Sequence, residues 1–183
     1  MNIIVTGKVG IGKTTICEKV IKIAENRGYT CGGVLTYKAL NKDIIAIDIQ
    51  TGGREALASI NKIYEGPHIG RYFFNPAGIE FGVRAIDRGI SSDILFVDEI
   101  GYLEFGGGGF ANSLELIKAG KVKDSVLVIR KKLLSAFLVQ MDFEWLVLEA
   151  TISNRNELPQ KVYSSLARGV FKVWAGGKIL GHY

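Results

Sequence analysis

The sequence predicts an α/β fold: a doubly wound, mostly parallel sheet with a β-hairpin at its margin. Two patterns carry that expectation. Runs that are apolar throughout, Ile3–Val5, Ile94–Val97, Val126–Ile129 and Trp145–Leu148, suit parallel strands buried on both faces. Stretches with apolar residues at helical spacing separate them, and an alternation of β and α elements implies a doubly wound parallel sheet.

Taken in order, Ile3-Ile4-Val5 forms the first strand and leads into Gly7-Lys8-Val9-Gly10-Ile11-Gly12-Lys13-Thr14. A helix-like stretch follows from Thr14 to about Glu25. Thr30–Lys38 and Ile44–Gln50 read as two strands joined by the turn-rich Leu40-Asn41-Lys42-Asp43. In the second of them Ile45, Ile47 and Ile49 alternate with Ala46 and Asp48, which predicts a marginal hairpin with one wet face. Helices are expected over Pro76–Arg88, Phe110–Ala119, Lys131–Gln140 and roughly Asn156–Arg168. Pro159 is tolerated only in a first turn, so the last helix should start at Asn154 or Asn156. Residues 1–183 read as one domain, with a tail beyond about residue 168 whose structure the sequence leaves open.

The segment from Gly7 to Thr14 fits G-x-x-x-x-G-K-[ST], the phosphate-binding P-loop. Strand, glycine-rich loop and helix stand in the order the physics asks for. Backbone N–H groups of residues 7–15 (Gly7, Lys8, Val9, Gly10, Ile11, Gly12, Lys13, Thr14 and Thr15) curl around phosphates at a helix N-terminus. Lys13 would reach the β- and γ-phosphates, and the Thr14 hydroxyl would ligate Mg²⁺. A chance match in a glycine-rich turn is disfavoured by that complete setting.

Ile94-Leu95-Phe96-Val97-Asp98-Glu99 is an apolar strand ending in two acids, the form of a Walker B segment. Such a strand delivers Asp98 to the sheet's C-terminal edge beside the P-loop, where a carboxylate can hold Mg²⁺. Glu99 stands where an acid can polarise an attacking water, although a salt bridge to a neighbouring cation would explain it too. Asp98-Glu99-Ile100-Gly101 also fits the D-x-x-G of GTP-binding switches, and these residues are expected to face the nucleotide. A downstream N-K-x-D guanine code is missing, since Asn41-Lys42-Asp43 lies upstream with the wrong spacing.

Arg130 ends the Val126–Ile129 strand on the same edge. It could stabilise charge on a transferring phosphoryl group, or it could simply be a solvated residue opening the next helix. Asn154 and Arg155 follow the last sheet strand, where base contacts or helix capping are the alternatives, with Asn156 favoured as the cap. The run Gly106–Gly109 is either a lid or a permissive connector.

Composition narrows the class. A 48% hydrophobic chain of 183 residues can bury one substantial core. The net charge of +5 is too mild to indicate nucleic acid, and a nucleotide already accounts for local positive charge. Cys17 and Cys31 show no metal or redox spacing and read as small core residues of a reducing compartment. No apolar stretch approaches membrane-spanning length, and the N-terminus runs straight into the P-loop. The expectation is a cytoplasmic protein, with no protein partner indicated.

From Met1 to about Leu166 the sequence resembles the small P-loop nucleoside-triphosphatases of archaea and thermophilic bacteria, whose relatives include the human cancer-related nucleoside-triphosphatase. Gly32-Gly33-Val34-Leu35-Thr36 is similar to that family's Gly-Phe-x-Thr segment. Ile69-Gly70-Arg71-Tyr72-Phe73-Phe74-Asn75 is similar to its Val-Gly-x-Tyr-x-Val-Asn, and Ile79-Glu80 to the Phe-Glu that follows. Asp98-Glu99-Ile100-Gly101-Tyr102-Leu103-Glu104 matches Asp-Glu-Ile-Gly-Lys-Met-Glu closely, with Phe110 fitting the next helix. Thr151-Ile152-Ser153-Asn154-Arg155 agrees with a late Thr-x-x-Asn-Arg. The resemblance implies Mg²⁺-dependent hydrolysis of ATP, GTP and other nucleoside triphosphates to diphosphate and phosphate, with broad base tolerance. Tyr37-Lys38-Ala39 departs from the family's Glu-x-Arg, so no arginine is carried over there, and Arg130-Lys131-Lys132 is more basic than in relatives. Two other functions stay open: a small-molecule kinase with an acceptor under Arg130–Lys132, and a binding module gated by nucleotide.

Overall fold

The computed structural model describes residues 1–61, 63–141 and 144–171; the expected tail lies, from residue 172 onward, outside the described residues. Strands β1 (Asn2–Gly7), β2 (Cys31–Lys38), β3 (Ile44–Asp48), β4 (Arg54–Ser59), β5 (His68–Ile69), β6 (Tyr72–Phe74), β7 (Ile94–Ile100), β8 (Asp124–Ile129) and β9 (Leu146–Ala150) form one sheet. Helices are α1 (Lys13–Glu25), α2 (Pro76–Gly89), α3 (Tyr102–Phe105), α4 (Asn112–Lys118), α5 (Leu134–Gln140) and α6 (Leu158–Phe171). A 3₁₀ turn over Lys131–Leu133 precedes α5.

The strand order is β5-β6-β4-β3-β2-β7-β8-β1-β9. From β2 to β9 every neighbouring pair is parallel, and from β2 out to β5 every pair is antiparallel. The parallel half follows from the apolar runs. Ile3 and Val5 pack with Val20 and Ile21 of α1 and with Val162 and Leu166 of α6. Ile4 points to the other face, into a cluster with Ile86 of α2, Leu114 of α4 and Phe137 of α5. Successive residues of one strand thus feed two cores, the pattern of a sheet wound on both sides.

The antiparallel wing departs from expectation. The hairpin of β2 and β3 forms, but it is not at the margin, because β4, β6 and β5 extend the sheet beyond it. Arg54–Ser59 has only the run Ala56-Leu57-Ala58, with no β-branched or aromatic residue, so nothing local marks it as a strand. The wet face is also inverted. Ala46 and Asp48 are fully buried, while Ile45 and Ile47 are only half-buried. The cause is α2, which lies so near the wing that a Cβ on Gly78 would sit 2.1 Å from the carbonyl oxygen of Ala56. At that separation small side chains suit the closest approach, as does a carboxylate tied to the helix itself. Asp48 is such a carboxylate: Arg88 near the end of α2 donates to it at 2.5 Å.

Chemistry near the chain also sets the ends of helices. Asn75 caps α2 by accepting from the Ala77 N–H at 3.1 Å, and Pro76 takes the first helical position, where its missing donor costs nothing. The last helix begins at Leu158, so Pro159 falls in its first turn as required. Its opening amides, from Glu157 and Leu158, are received by the Asn154 carbonyl at 3.0 and 2.9 Å; the start is later than expected because residues 152–157 form a turn.

Candidate active site

Parallel strands share one C-terminal edge, and the loops leaving β1, β7, β8 and β9 there hold the predicted site residues. The P-loop leaves β1 and enters α1 through Gly12, whose φ of 100° is the left-handed region that glycine alone occupies cheaply. The N-terminus of α1 has neither a side-chain cap nor an acidic residue in its first turn. Its positive pole is therefore left for an external anion. Lys13 Nζ arches back over the loop and donates to the carbonyls of Gly7 at 3.3 Å and Lys8 at 3.2 Å. Those are weak, replaceable partners for a side chain of this reach.

Thr14 and Asp98 are brought together from 84 residues apart: the Thr14 hydroxyl donates to Asp98 Oδ2 at 2.6 Å. The Thr36 N–H adds a longer bond of 3.3 Å to the same oxygen. Asp98 is only 2% exposed. Burial pushes its carboxyl up to about 7, and the neighbouring Glu99 charge adds to the rise while Thr14, Thr36 and Lys13 oppose it. A buried carboxylate beside a hydroxyl, with no cation hydrogen-bonded to it among the described residues, suits a small hard cation. No group of three or more His, Cys, Asp or Glu side chains forms a metal cage among the described residues. Thr14 and Asp98 could hold such an ion, with phosphate and water completing its shell.

The β7–β8 ladder slips between Asp98 and Ile100, so Glu99 is the extra residue of a bulge. A bulge re-aims the side chains around it. Asp98 thereby stays buried, Ile100 turns fully into the core, and Glu99 emerges at the edge with its side chain 33% exposed. Ile100 was expected to face the nucleotide; its side chain does not, because it fills the cluster under α2. Gly101 does sit at the edge, 3.6 Å from the Arg130 Nε measured from where its Cβ would be.

Glu99 and Arg130, two separate expectations, form one ion pair. Arg130 donates through Nε and Nη2 to Glu99 Oε1, both at 2.5 Å. A cleft with room for about 40 Å³ of water opens beside them, walled by Thr36, Leu57, Phe74, Leu103 and Phe110. Glu104 lines the same cleft. It accepts from the Gly101 N–H at 2.7 Å and the Phe110 N–H at 3.2 Å, stapling both ends of the loop that contains Gly106–Gly109. With Gly107 and Gly108 also hydrogen-bonded back to Glu104 and Leu103, that run is a tied connector.

After β9 the expected pair separates. The Asn154 side chain is engaged by its own loop, accepting from the Thr151 N–H at 2.8 Å and donating to the Glu149 carbonyl at 2.9 Å. Arg155 instead lies exposed on an open groove against the first turns of α1, together with Ile11, Gly12, Thr15, Lys19 and Asn156. Asn156, expected to cap the last helix, lines this groove too. Lys19, one turn after Thr15 on the same helix face, lines the groove as well. Thr36 was missed as a donor to Asp98, since nothing local links positions 36 and 98.

Cys17 and Cys31 are buried and free, and burial pushes the Cys31 thiol up to about 12. Both are inert packing residues. No helix among the described residues is long and apolar enough to cross a membrane.

Comparison with known proteins places this geometry. A family model described as NTPase matches residues 2–163. The nucleoside-triphosphatase THEP1 of Pyrococcus abyssi is 31% identical over 166 residues, covering 86% of this chain and 88% of the relative. That of Methanopyrus kandleri is 28% identical over 169 residues, covering 88% and 92%. Among solved structures, THEP1 from Aquifex aeolicus superposes with a TM-score of 0.75 at 23% identity, covering 91% of this chain and 99% of that one. A human cancer-related nucleoside triphosphatase gives 0.68 at 18% identity, covering 97% and 99%. These two likenesses concern the fold.

Proposed function

The chain belongs to the NTPase family, and from that premise we propose that it hydrolyses nucleoside triphosphates, ATP and GTP among them, to diphosphate and phosphate with Mg²⁺. The observation that carries the reading is the meeting of Thr14 and Asp98 at 2.6 Å beside an uncapped helix N-terminus. Two segments with no local connection converge where a metal-bound polyphosphate would lie.

The chain's own residues have distinct tasks. Loop amides and Lys13, exchanging its two carbonyl partners for phosphate oxygens, hold the β- and γ-phosphates. Thr14 and Asp98 would hold Mg²⁺, which when bound adds positive charge where the phosphoryl oxygens gather it. Glu99 orients the attacking water and accepts its proton. For that the carboxylate must be free, so Arg130 transfers its guanidinium from Glu99 to the γ-phosphate, where it stabilises the charge developing in the transition state. The cleft beside Glu99, about 40 Å³, gives water a place next to the carboxylate. Two unpaired buried thiols and the absence of a spanning helix among the described residues support a cytoplasmic location.

The deciding measurement is phosphate release from a panel of nucleoside triphosphates with Mg²⁺ and with a chelator. Release that needs Mg²⁺ is expected. A protein that binds nucleotide yet liberates no phosphate under any condition would overturn the hydrolase reading.

A further inference from the structure

Glu104 is a buried carboxylate to which the hydrolysis above gives no task. It is 8% exposed, and among the described residues no cation forms a salt bridge with it. Its two oxygens reach two amides: Oε2 accepts from the Gly101 N–H at 2.7 Å and Oε1 from the Phe110 N–H at 3.2 Å. Capping the single turn of α3 needs only the first of these bonds. The second goes to a residue fixed in the core. Phe110 is 2% exposed, and a Cβ on Gly82 of α2 would sit 2.3 Å from its ring. One carboxylate therefore ties the end of β7 to a point braced against α2.

What Glu104 holds is the segment that aims Glu99. The slip between Asp98 and Ile100 leaves Glu99 without a partner on β8, so its direction follows from its neighbours. Ile100 is fixed by burial in the core, and Gly101 is fixed by Glu104. Arg130 depends on the same spot. A Cβ on Gly101 would lie 3.6 Å from both Arg130 Nε and Glu104 Oε2, so the guanidinium crosses the glycine that Glu104 grips. Using a carboxylate here is costly: burial pushes the Glu104 carboxyl up, against the two amide bonds, and the Glu99 charge adds to the rise. Glutamine would avoid that cost but has one acceptor oxygen, and its amino group would face the other amide, donor against donor.

We propose that Glu104 is a positioning residue for hydrolysis: by fixing Gly101 against Phe110, it holds Glu99 and Arg130 where the attacking water and the γ-phosphate need them. Glu104 touches no reacting atom in this role and acts only through its neighbours. The proposal rests on the hydrolase reading above and adds to that site a residue outside its reacting groups.

Glu104→Ala and Glu104→Gln, made in the full chain, separate positioning from plain support. In the alanine variant kcat is expected to fall about 10- to 100-fold, the scale of a small misplacement of reacting groups. The glutamine variant keeps one of the two bonds and should lose a smaller factor. KM for the nucleotide should hardly move, because the P-loop and Thr14 are untouched. A structural role alone would lower the melting temperature and leave kcat per folded molecule intact, as expected for Asp48→Ala in the distant wing. Should the alanine variant fail to fold, the glutamine variant carries the test. Hydrogen exchange at the Gly101 and Phe110 amides reads the grip without turnover, and at least one of them should exchange faster in Glu104→Gln. Full kcat in that variant, or exchange unchanged at both amides, would overturn the proposal. An unaltered protein that releases no phosphate would refute the hydrolase reading and this role together, whereas an active protein whose Glu104 variants stay fully active refutes this role alone.

Discussion

Asp48 and Asp98 lie in opposite halves of the sheet, equally hidden from water, and the fold treats them in opposite ways. Asp48, in the antiparallel wing, is 0% exposed and receives the Gln50 N–H at 3.0 Å, the Thr51 hydroxyl at 2.7 Å and Arg88 at 2.5 Å. Burial alone would raise its carboxyl, but those donors and the Arg88 charge outweigh burial and hold it below the usual range. Asp98, in the parallel half, has a hydroxyl and one long amide bond, and burial wins. A buried charge without a built-in partner is costly. The wing neutralises its carboxylate internally and is complete. The parallel edge leaves its own unneutralised, and a bound cation would complete it.

Glu99 provides the largest way to break this comparison. If the edge acids serve chemistry, Glu99→Gln should reduce turnover by about 10²–10⁴, the range of a positioned general base. Nucleotide binding and melting temperature should hardly move, because its pair with Arg130 is a third exposed on both sides and such pairs contribute under about 1 kcal/mol. A variant as fast as the unaltered protein would sink the role given to Glu99.

Asp48→Ala should do the reverse. Removing the carboxylate strands the Gln50 N–H and the Thr51 hydroxyl, while the 45% exposed Arg88 returns to water, so about 1–3 kcal/mol should be lost, read as a lower urea midpoint. Turnover per folded molecule should be retained. If stability were unchanged instead, the wing's carboxylate would not be the structural element described above.

Asp98 supplies a signed pH test. Its folded-state value, about 7, lies above its ordinary 3.8, so the fold favours the protonated form. The stability this contributes is full below the ordinary value and is lost as pH rises through about 7, a loss of up to about 4 kcal/mol for a rise of that size. Ligand-free protein should therefore melt at lower temperature at pH 8 than at pH 5.5. Asp98→Asn should flatten that slope and raise the pH 8 melting temperature, while Mg²⁺ with nucleotide should rescue the unaltered protein alone. A pH-independent melting curve in the unaltered protein would contradict the contrast with Asp48.

Asn75→Ala is the smallest probe. It removes the cap of α2 and the Nδ2 bond to the Ala56 carbonyl at 2.8 Å, and about 1 kcal/mol of stability should go with them. Circular dichroism melts would show it, and no change in phosphate release should accompany it.

The same two halves differ in how plainly the sequence announced them. Ile3–Val5, Ile94–Val97 and Val126–Ile129 are visible as strands because burial on both faces demands apolar residues at every position. The wing has no such rule. Under α2 the demand is for smallness, so Ala46, Ala58 and Gly78 do there what isoleucine does elsewhere, and Ile45 and Ile47 of β3 point to the less covered side. Alternation alone could not say which face was covered. Within the site, Gly7–Thr14 and Asp98 were legible because backbone geometry and strand termination are local. Arg155 gave no local sign of what it would face, and the structure leaves it exposed beside Lys19 on the surface of α1.

What the amino-acid order determined by itself was short-range: a glycine-rich phosphate loop, its helix, four apolar strands and two acids ending one of them. These depend on dihedral freedom, periodicity and capping within a few residues. Tertiary structure alone decided which acid was submerged and which emerged, through a ladder slip at Glu99. It also tied that acid to Arg130, 31 positions away, and set Thr14 against Asp98 across 84. Such pairings depend on which strands become neighbours, and strand order is a property of the whole packed sheet, with no signature in any one segment.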